Sequence, residues 1–416
     1  MLDTAPENWS GLVNSAANLN SGHGPGVETI IRRIACVDPA IPGAACNREV
    51  KNRLALPRVR NTNGPAFRAV TDNVRGGHMG TIGDVASSID DSLRTQRGDN
   101  VFNVGDKQGP EYLVMNMSLG WEGAAWGDLD PGDKSNKGAV LDVATNTTAD
   151  QGVPASVRAA LAATMVASCE GAMMFAAVGN ANNFTCDGGP LAPAAWESIG
   201  RPDYAGCVAK SLFVGSGASK NDTVANWSGN FGQSSATSLE PVYEPLVFGV
   251  SATNYDAEEL SMQRNDATAR LSALGFRSVD EDLNGDWTQI QSGTSIATAV
   301  VSASMANAWS GLAVNKPMLS PASIVELVYN ASPKMEEDQT YDTSGIPTNA
   351  CDALSYLASS PPPYSPTNVS VEANFELGYP EGGAPSPAVS HVINSCAAVA
   401  AVTGVYPLGC TGEVTL

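Results

Sequence analysis

Three short apolar runs, Tyr112-Leu113-Val114-Met115-Asn116-Met117, Met173-Met174-Phe175-Ala176-Ala177-Val178 and Leu246-Val247-Phe248-Gly249-Val250, leave this chain few folds to choose from. Each has the length of a strand and is apolar nearly throughout, the pattern of a strand buried on both faces. Stretches with helical spacing alternate with them. Val27, Ile30, Ile31, Ile34 and Ala35 follow the i, i+3, i+4 rule, and residues 157–167 do the same just before the second run. The expected fold is therefore α/β, a parallel central β-sheet flanked by helices on both faces. In such sheets the chemistry collects beyond the carboxyl ends of the strands.

Two stretches, about 121 to 154 and about 181 to 245, are rich in turn residues and read as insertions between core elements. The composition breaks at Ser359-Ser360-Pro361-Pro362-Pro363-Tyr364-Ser365-Pro366, where the prolines favour an extended linker. We therefore expect a main domain over residues 1–358, a linker over 359–366 and a short C-terminal extension over 367–416, in which Cys396 and Cys410 are placed to form a staple.

A net charge of −20 repels phosphate backbones and anionic membrane surfaces, so nucleic acid is not an expected partner. No apolar run approaches the roughly 18 residues of a membrane span. Only 16% of residues are charged, which favours an extracellular protein. The eight cysteines contain no Cys-x-x-Cys pair, which argues for disulfides over a structural zinc site. Short-range partners are Cys36 with Cys46, Cys186 with Cys207 and Cys396 with Cys410; Cys169 is either a buried free thiol or a partner for Cys351. Met1-Leu2-Asp3-Thr4-Ala5 has neither the basic start nor the apolar stretch of a signal peptide, so the expected precursor is longer at its N-terminus.

Gln291-Ser292-Gly293-Thr294-Ser295-Ile296-Ala297-Thr298-Ala299 sets a serine between a glycine turn and a helix of small residues, with Ile296, Ala299, Val300, Ala303 and Ala306 at helical spacing. A helix that begins at a serine directs its unpaired N–H groups and positive dipole end at whatever that serine attacks. The hydroxyl needs an imidazole to take its proton, and the imidazole needs a carboxylate to fix its tautomer. Three histidines are available, His23, His78 and His391. His23 stands in Gly22-His23-Gly24-Pro25-Gly26-Val27, just before an amphipathic helix, and is the preferred base. His78, in Gly77-His78-Met79-Gly80-Thr81, precedes a helix expected over Ile82 to Leu93, but its upstream carboxylate Asp72 is too near to end an independent strand.

Ser-Gly-Thr-Ser-Ile-Ala-Thr-Ala closely resembles the nucleophile motif of the subtilisin-like serine proteases, the subtilases. His23-Gly24-Pro25-Gly26-Val27 resembles that family's histidine motif, with Pro25 where threonine is usual, and Leu2-Asp3-Thr4-Ala5 its Asp-Thr/Ser-Gly, with Ala5 in place of glycine. The order Asp, His, Ser is that of the subtilisin type. Ala176-Ala177-Val178-Gly179-Asn180 is similar to the segment whose asparagine donates to the oxyanion, and Asn116-Met117-Ser118-Leu119-Gly120 to the strand that pairs with substrate. The resemblance implies Asp3, His23, Ser295 and Asn180 as catalytic residues. It implies Ser118, Leu119, Gly120, Ala177 and Gly179 around an apolar substrate pocket. In the family a longer strand precedes the aspartate, whereas here Met1 and Leu2 alone do so: either the protein starts upstream, with a signal peptide, an apolar strand and room for a propeptide, or this chain is a defective fragment.

The resemblance implies a secreted serine endopeptidase acting on protein or peptide substrates by way of an acyl-enzyme. That chemistry requires no metal or cofactor; structural calcium is frequent in the family, and the acidic loops allow it without showing a calcium-loop pattern. Two other readings share the same residues. A non-proteolytic, esterase-like serine hydrolase uses Ser295 and His23 without the peptide-pairing strand, and an inactive binding or surface protein keeps only the fold.

Overall fold

The computed structural model describes residues 1–3, 23–35, 50–55, 58–59, 78–97, 113–121, 154–181, 189–202, 204–209, 212, 244–255, 257–264, 267–277, 279–281, 287–315, 320–332 and 390–393. Its centre is a seven-stranded sheet. Five strands form the body: β1 (Leu2–Asp3), β5 (Val114–Met117), β6 (Met173–Ala177), β7 (Phe248–Thr253) and β8 (Leu271–Leu274). Beside β1 lies β2 (Arg53–Leu54), and beside β8 lies β11 (His391–Val392), which gives the order β11-β8-β7-β6-β5-β1-β2. Every neighbouring pair in it is parallel. Two short antiparallel pairs stand apart, β3 (Arg58–Val59) with β4 (His78–Met79) and β9 (Val279–Glu281) with β10 (Trp287–Gln291).

Parallel strands need helical crossovers, and these cover both faces. On one face lie α2 (Ile82–Arg97) and α3 (Ala155–Cys169). Val85, Ile89 and Leu93 of α2 and Val157, Leu161 and Met165 of α3 are buried there with Met174, Ala176 and Val178 from β6 and its end. The alternate β6 residues, Met173 and Phe175, point to the opposite face, against Ala297, Val301 and Met305 of α5 (Thr294–Asn315) and Ile324, Val325 and Val328 of α6 (Pro321–Ala331). The period of two thus divides one apolar run between two cores, which is why it does not alternate with polar residues. Each such fully buried side chain contributes about 1.5–3 kcal/mol of transfer free energy.

Helix α5 crosses this second face buried nearly all round. Its hydroxyls are accommodated because they bond back to the preceding turn: Thr298 Oγ1 donates to Thr294 O at 2.7 Å and Ser302 Oγ to Thr298 O at 2.7 Å. A further layer is α1 (His23–Ala35), whose Val27, Ile30, Ile31 and Ala35 pack on Ile296, Ala299 and Ala303 of α5. Gly26, in the first turn of α1, lies against Gln291 just before α5, and Asn307 Nδ2 near the end of α5 donates to Ile34 O at 2.8 Å. The two helices therefore run parallel, with their N-termini at one end.

The strand at Asp3 is two residues long and central, paired with β2 on one side and β5 on the other. The Met1 ammonium donates to Lys51 O at 2.7 Å; burial, reinforced by Arg53, lowers its pKa to about 5.

The cysteine pairing differs from the one expected. Cys169, at the end of α3, is bonded to Cys207 in α4 (Tyr204–Ala209), 38 residues on, which replaces both the Cys186–Cys207 pair and the two alternatives for Cys169. Sequence proximity was the wrong guide, because the chain folds back across the end of α3: Arg201 donates to Ser168 O at 2.8 Å, beside the bond. Cys36, Cys46, Cys186, Cys351, Cys396 and Cys410 lie outside the described residues, as do 359–366 and most of both insertions. The C-terminal extension nevertheless supplies β11. Ile393 N donates to Ser272 O at 2.6 Å, Ser272 Oγ to His391 O at 3.0 Å, and Ile393 is fully buried.

Candidate active site

Ser295 occupies the first turn of α5, at the carboxyl ends of β5 and β6. The turn before it depends on Gly293, whose φ of 143° is unfavourable for other residues and where a Cβ would meet Asn180 Nδ2 at 2.6 Å. Thr294 N donates to Asn180 Oδ1 at 3.0 Å. Because that N–H can only donate, it fixes the amide oxygen of Asn180 inward and leaves Nδ2 as the donor end. Thr294 Oγ1 in turn accepts from Gly179 N at 3.1 Å, so Thr294 clamps the Gly179–Asn180 turn to the start of α5. The N–H of Ser295, in the first turn, has no intrahelical acceptor by position.

Beneath Ser295 runs a buried chain of hydrogen bonds. Ser302 Oγ, whose one proton is shared between Thr298 O and Asn116 Oδ1 (3.0 Å to the amide oxygen), leads to Asn116, whose Nδ2 donates to Ser118 Oγ (3.0 Å), and Ser118 Oγ donates to Ser295 O (2.9 Å). The Ser295 hydroxyl donates to Ser118 O at 3.3 Å. These bonds fix the end of β5 to the helix that carries the serine.

His23 is the first residue of α1, and Asp3 ends β1. His23 Nδ1 donates to Asp3 Oδ1 at 2.8 Å, with the carboxylate fully buried. Burial opposes a charge on the ring, but the charge of Asp3 and its hydrogen bond outweigh it and raise the His23 pKa above its ordinary 6.5. The parallel packing of α1 and α5 brings this pair to the serine's end of the molecule. From the Ile34–Asn307 bond back to His23 and to Ser295 the two helical paths differ by about one residue, about 1.5 Å of rise. The two residues therefore stand level along the helix pair.

The other sequence-selected residues fall around the same strand ends. Ser118 is buried in the hydrogen-bonded chain, Gly120 is exposed, and Ala177 and Gly179 are buried at the end of β6. Leu119 is buried with core residues of α2 and α3 and with Val178 at the end of β6. His78 lies in β4, outside the main sheet. His391 sits at the opposite edge, in β11, with Nδ1 donating to Tyr329 O at 2.6 Å and its ring stacked on Tyr329. Sequence reasoning passed over Thr294, although its place between Gly293 and Ser295 marked it, and Leu191, whose position follows only from the tertiary fold.

Residues 73–351 match the profile of the Subtilase family, a span that carries Asn116–Gly120, Asn180 and Ser295 and begins after Asp3 and His23. No curated protein is significantly similar in sequence. Among solved structures, the prenylagaramide maturation protease PagA shares 16% identity at a TM-score of 0.33, covering 64% of this chain and 62% of that one. The self-cleaved protease domain of PatA shares 16% at 0.38, covering 80% of each, and sphericase 14% at 0.29, covering 62% and 58%. The chain thus spans about three fifths of the length of the maturation protease.

Proposed function

Since this chain belongs to the subtilase family, we propose that it is a secreted serine endopeptidase working through an Asp3–His23–Ser295 triad, with Asn180 in the oxyanion hole. The observation that carries this reading is the His23–Asp3 hydrogen bond at the start of a helix level with Ser295. In the reaction, rotation about the Ser295 side chain exchanges its Ser118 acceptor for His23 Nε2. The hydroxyl oxygen attacks the scissile carbonyl carbon as His23 takes the proton, and Asp3 stabilises the imidazolium. The tetrahedral oxyanion accepts from Asn180 Nδ2 and from Ser295 N–H. Its collapse expels the amine, protonated by His23, and leaves an acyl-Ser295 that water hydrolyses by the same route.

Protein or peptide substrates are read as pairing in extended form along residues 118–120, beyond β5. The Cys169–Cys207 bond and the low share of charged residues, 16%, support a secreted protein.

The test is covalent labelling by a serine-directed fluorophosphonate, together with hydrolysis of a peptide amide. Both are expected in the wild type and lost in Ser295→Ala and His23→Ala, while His78→Ala retains them. Loss in His78→Ala with retention in His23→Ala overturns the triad. Hydrolysis of a simple ester but of no peptide identifies a non-proteolytic hydrolase, and absence of labelling a binding protein on the same fold.

A further inference from the structure

The segment that follows Gly189 crosses between the ends of β5 and β6, below Ser295. Leu191 N donates to Val178 O at 2.8 Å on the β6 side, and Ala192 exchanges two backbone hydrogen bonds with Trp121, at 2.9 and 3.0 Å, on the β5 side. The Leu191 side chain consequently fills the slot between the two strand ends. A Cβ built on Gly120 would meet Leu191 Cβ at 2.8 Å and Cδ1 at 3.1 Å; one built on Gly179 would meet Cγ and Cδ1 at 2.7 Å. Leu191 thus crowds both walls, although Gly179 also has a φ of 109° and lies against Arg264 Cδ, and Gly120 against Ala192 O. The same strand ends hold the nucleophile from the other side, through Ser118 to Ser295 and Gly179 to Thr294.

Leu191 has little freedom to withdraw. Its own N–H is bonded, its carbonyl accepts from Ala195 N at 2.9 Å, and buried Arg264 donates through Nε to Gly189 O at 2.9 Å, anchoring the approach to the segment. Leu191 is half-buried, neither sealed in the core nor fully exposed.

We propose that Leu191 is the floor of the primary specificity pocket and restricts cleavage to bonds that follow a small residue, glycine, alanine or serine. This rests on the serine-peptidase reading above and adds a floor to the apolar pocket expected around residues 118–120, 177 and 179. A large side chain before the scissile bond cannot descend between Gly120 and Gly179 while Leu191 stands there, and because packed interiors do not yield by whole side-chain volumes, the mismatch raises the barrier for that substrate.

The experiment uses the full chain and peptide anilides of one sequence that differ only in the residue before the anilide. Wild type is expected to hydrolyse the alanine substrate at least about tenfold faster, in kcat/KM, than the phenylalanine one, and Leu191→Ala to reverse that ratio, a shift in the range known for filled and emptied apolar pockets. Leu191→Gly is the second variant, expected to move the ratio further in the same direction. Fluorophosphonate labelling of Ser295, which is indifferent to the pocket's depth, checks that each variant keeps an intact site. Labelling with an unchanged ratio in both variants, or a wild type that prefers phenylalanine, overturns the pocket assignment alone. A wild type that neither labels nor cleaves overturns the serine-peptidase reading and this proposal with it.

Discussion

His23 Nδ1 and Asp3 Oδ1 lie 2.8 Å apart, the carboxylate fully buried at the end of a central strand and the imidazole at the start of a helix. The Asp3 interaction raises the His23 pKa above 6.5 against the opposing effect of burial. A base acts only when neutral, so kcat/KM is expected to rise with pH along a limb centred above 6.5. Asp3→Asn leaves burial unopposed, which moves the limb below 6.5 and cuts turnover by about 10⁴-fold through loss of the correct tautomer. Stability follows with its own sign. A raised folded pKa stabilises fully below 6.5, and that contribution disappears as pH rises through the folded value. The stability gap between wild type and Asp3→Asn should therefore narrow from acid to alkaline pH, as urea titrations at several pH values would reveal. An acid limb unmoved in Asp3→Asn would remove Asp3 from the site.

Asn180 has two ends with separate duties. Its oxygen accepts from Thr294 N, and in the proposed mechanism its Nδ2 donates to the oxyanion. Asn180→Ala should lower kcat by about 10² to 10³, the cost known for the corresponding donor in subtilisin, with little change in KM. It also strips Thr294 N–H of its acceptor, for about 1–3 kcal/mol of stability. Asn180→Asp separates the two effects, since it preserves the acceptor for Thr294 but removes the N–H: stability should recover while kcat stays low. Full activity in Asn180→Asp would exclude the donor role.

The parts of this molecule that were legible in the sequence are those where one short segment carries its own physics. The runs at Met173–Val178 and Tyr112–Met117 could only be doubly buried strands, and they are β6 and β5 in a parallel sheet. The turn before Ser295 was equally readable, because Gly293 allows both a positive φ and the approach of Asn180. Long-range placement was not. Nothing near Leu191 marks it as the residue between two glycines some 12 and 71 positions away, nor does Cys169 announce a partner 38 residues later. Leu119 was legible only as an apolar residue at a strand end; its burial with α2 and α3 follows from the alternation of Met115, Met117 and Leu119 on one side of the strand.

The Cys169–Cys207 bond ties the end of α3 to α4 across a sequence separation of 38. On the chain-entropy account, closing a loop of that length restricts the unfolded chain by about 4 kcal/mol. The double variant Cys169→Ala, Cys207→Ala should lose up to about that much unfolding free energy in urea. Reducing agent should destabilise wild type by more than it destabilises the double variant, which keeps the other six cysteines. Equal denaturation midpoints for wild type with and without reductant would mean that the bond does not constrain the unfolded chain.

Strand β11 makes the C-terminal extension part of the main sheet, and Ile393 tests this. Its side chain is fully buried among Leu271, Ala273 and the α6 residues Ile324 and Val328, at the far edge of the sheet from β2. Ile393→Ala should cost about 2–5 kcal/mol, the range for emptying a well-packed apolar site. Truncation before Ser390 should cost more, since it also strips the hydrogen-bond partners from Ser272 and exposes the edge of β8 to pairing with other chains. The active site is expected to survive Ile393→Ala at temperatures where the protein remains folded, because β7 and β6 separate β8 from the end of β5. Fluorophosphonate labelling across a thermal ramp distinguishes the cases: a lower inactivation temperature with normal labelling at 25 °C supports a structural strand, whereas an unchanged ramp in both variants would detach β11 from the fold.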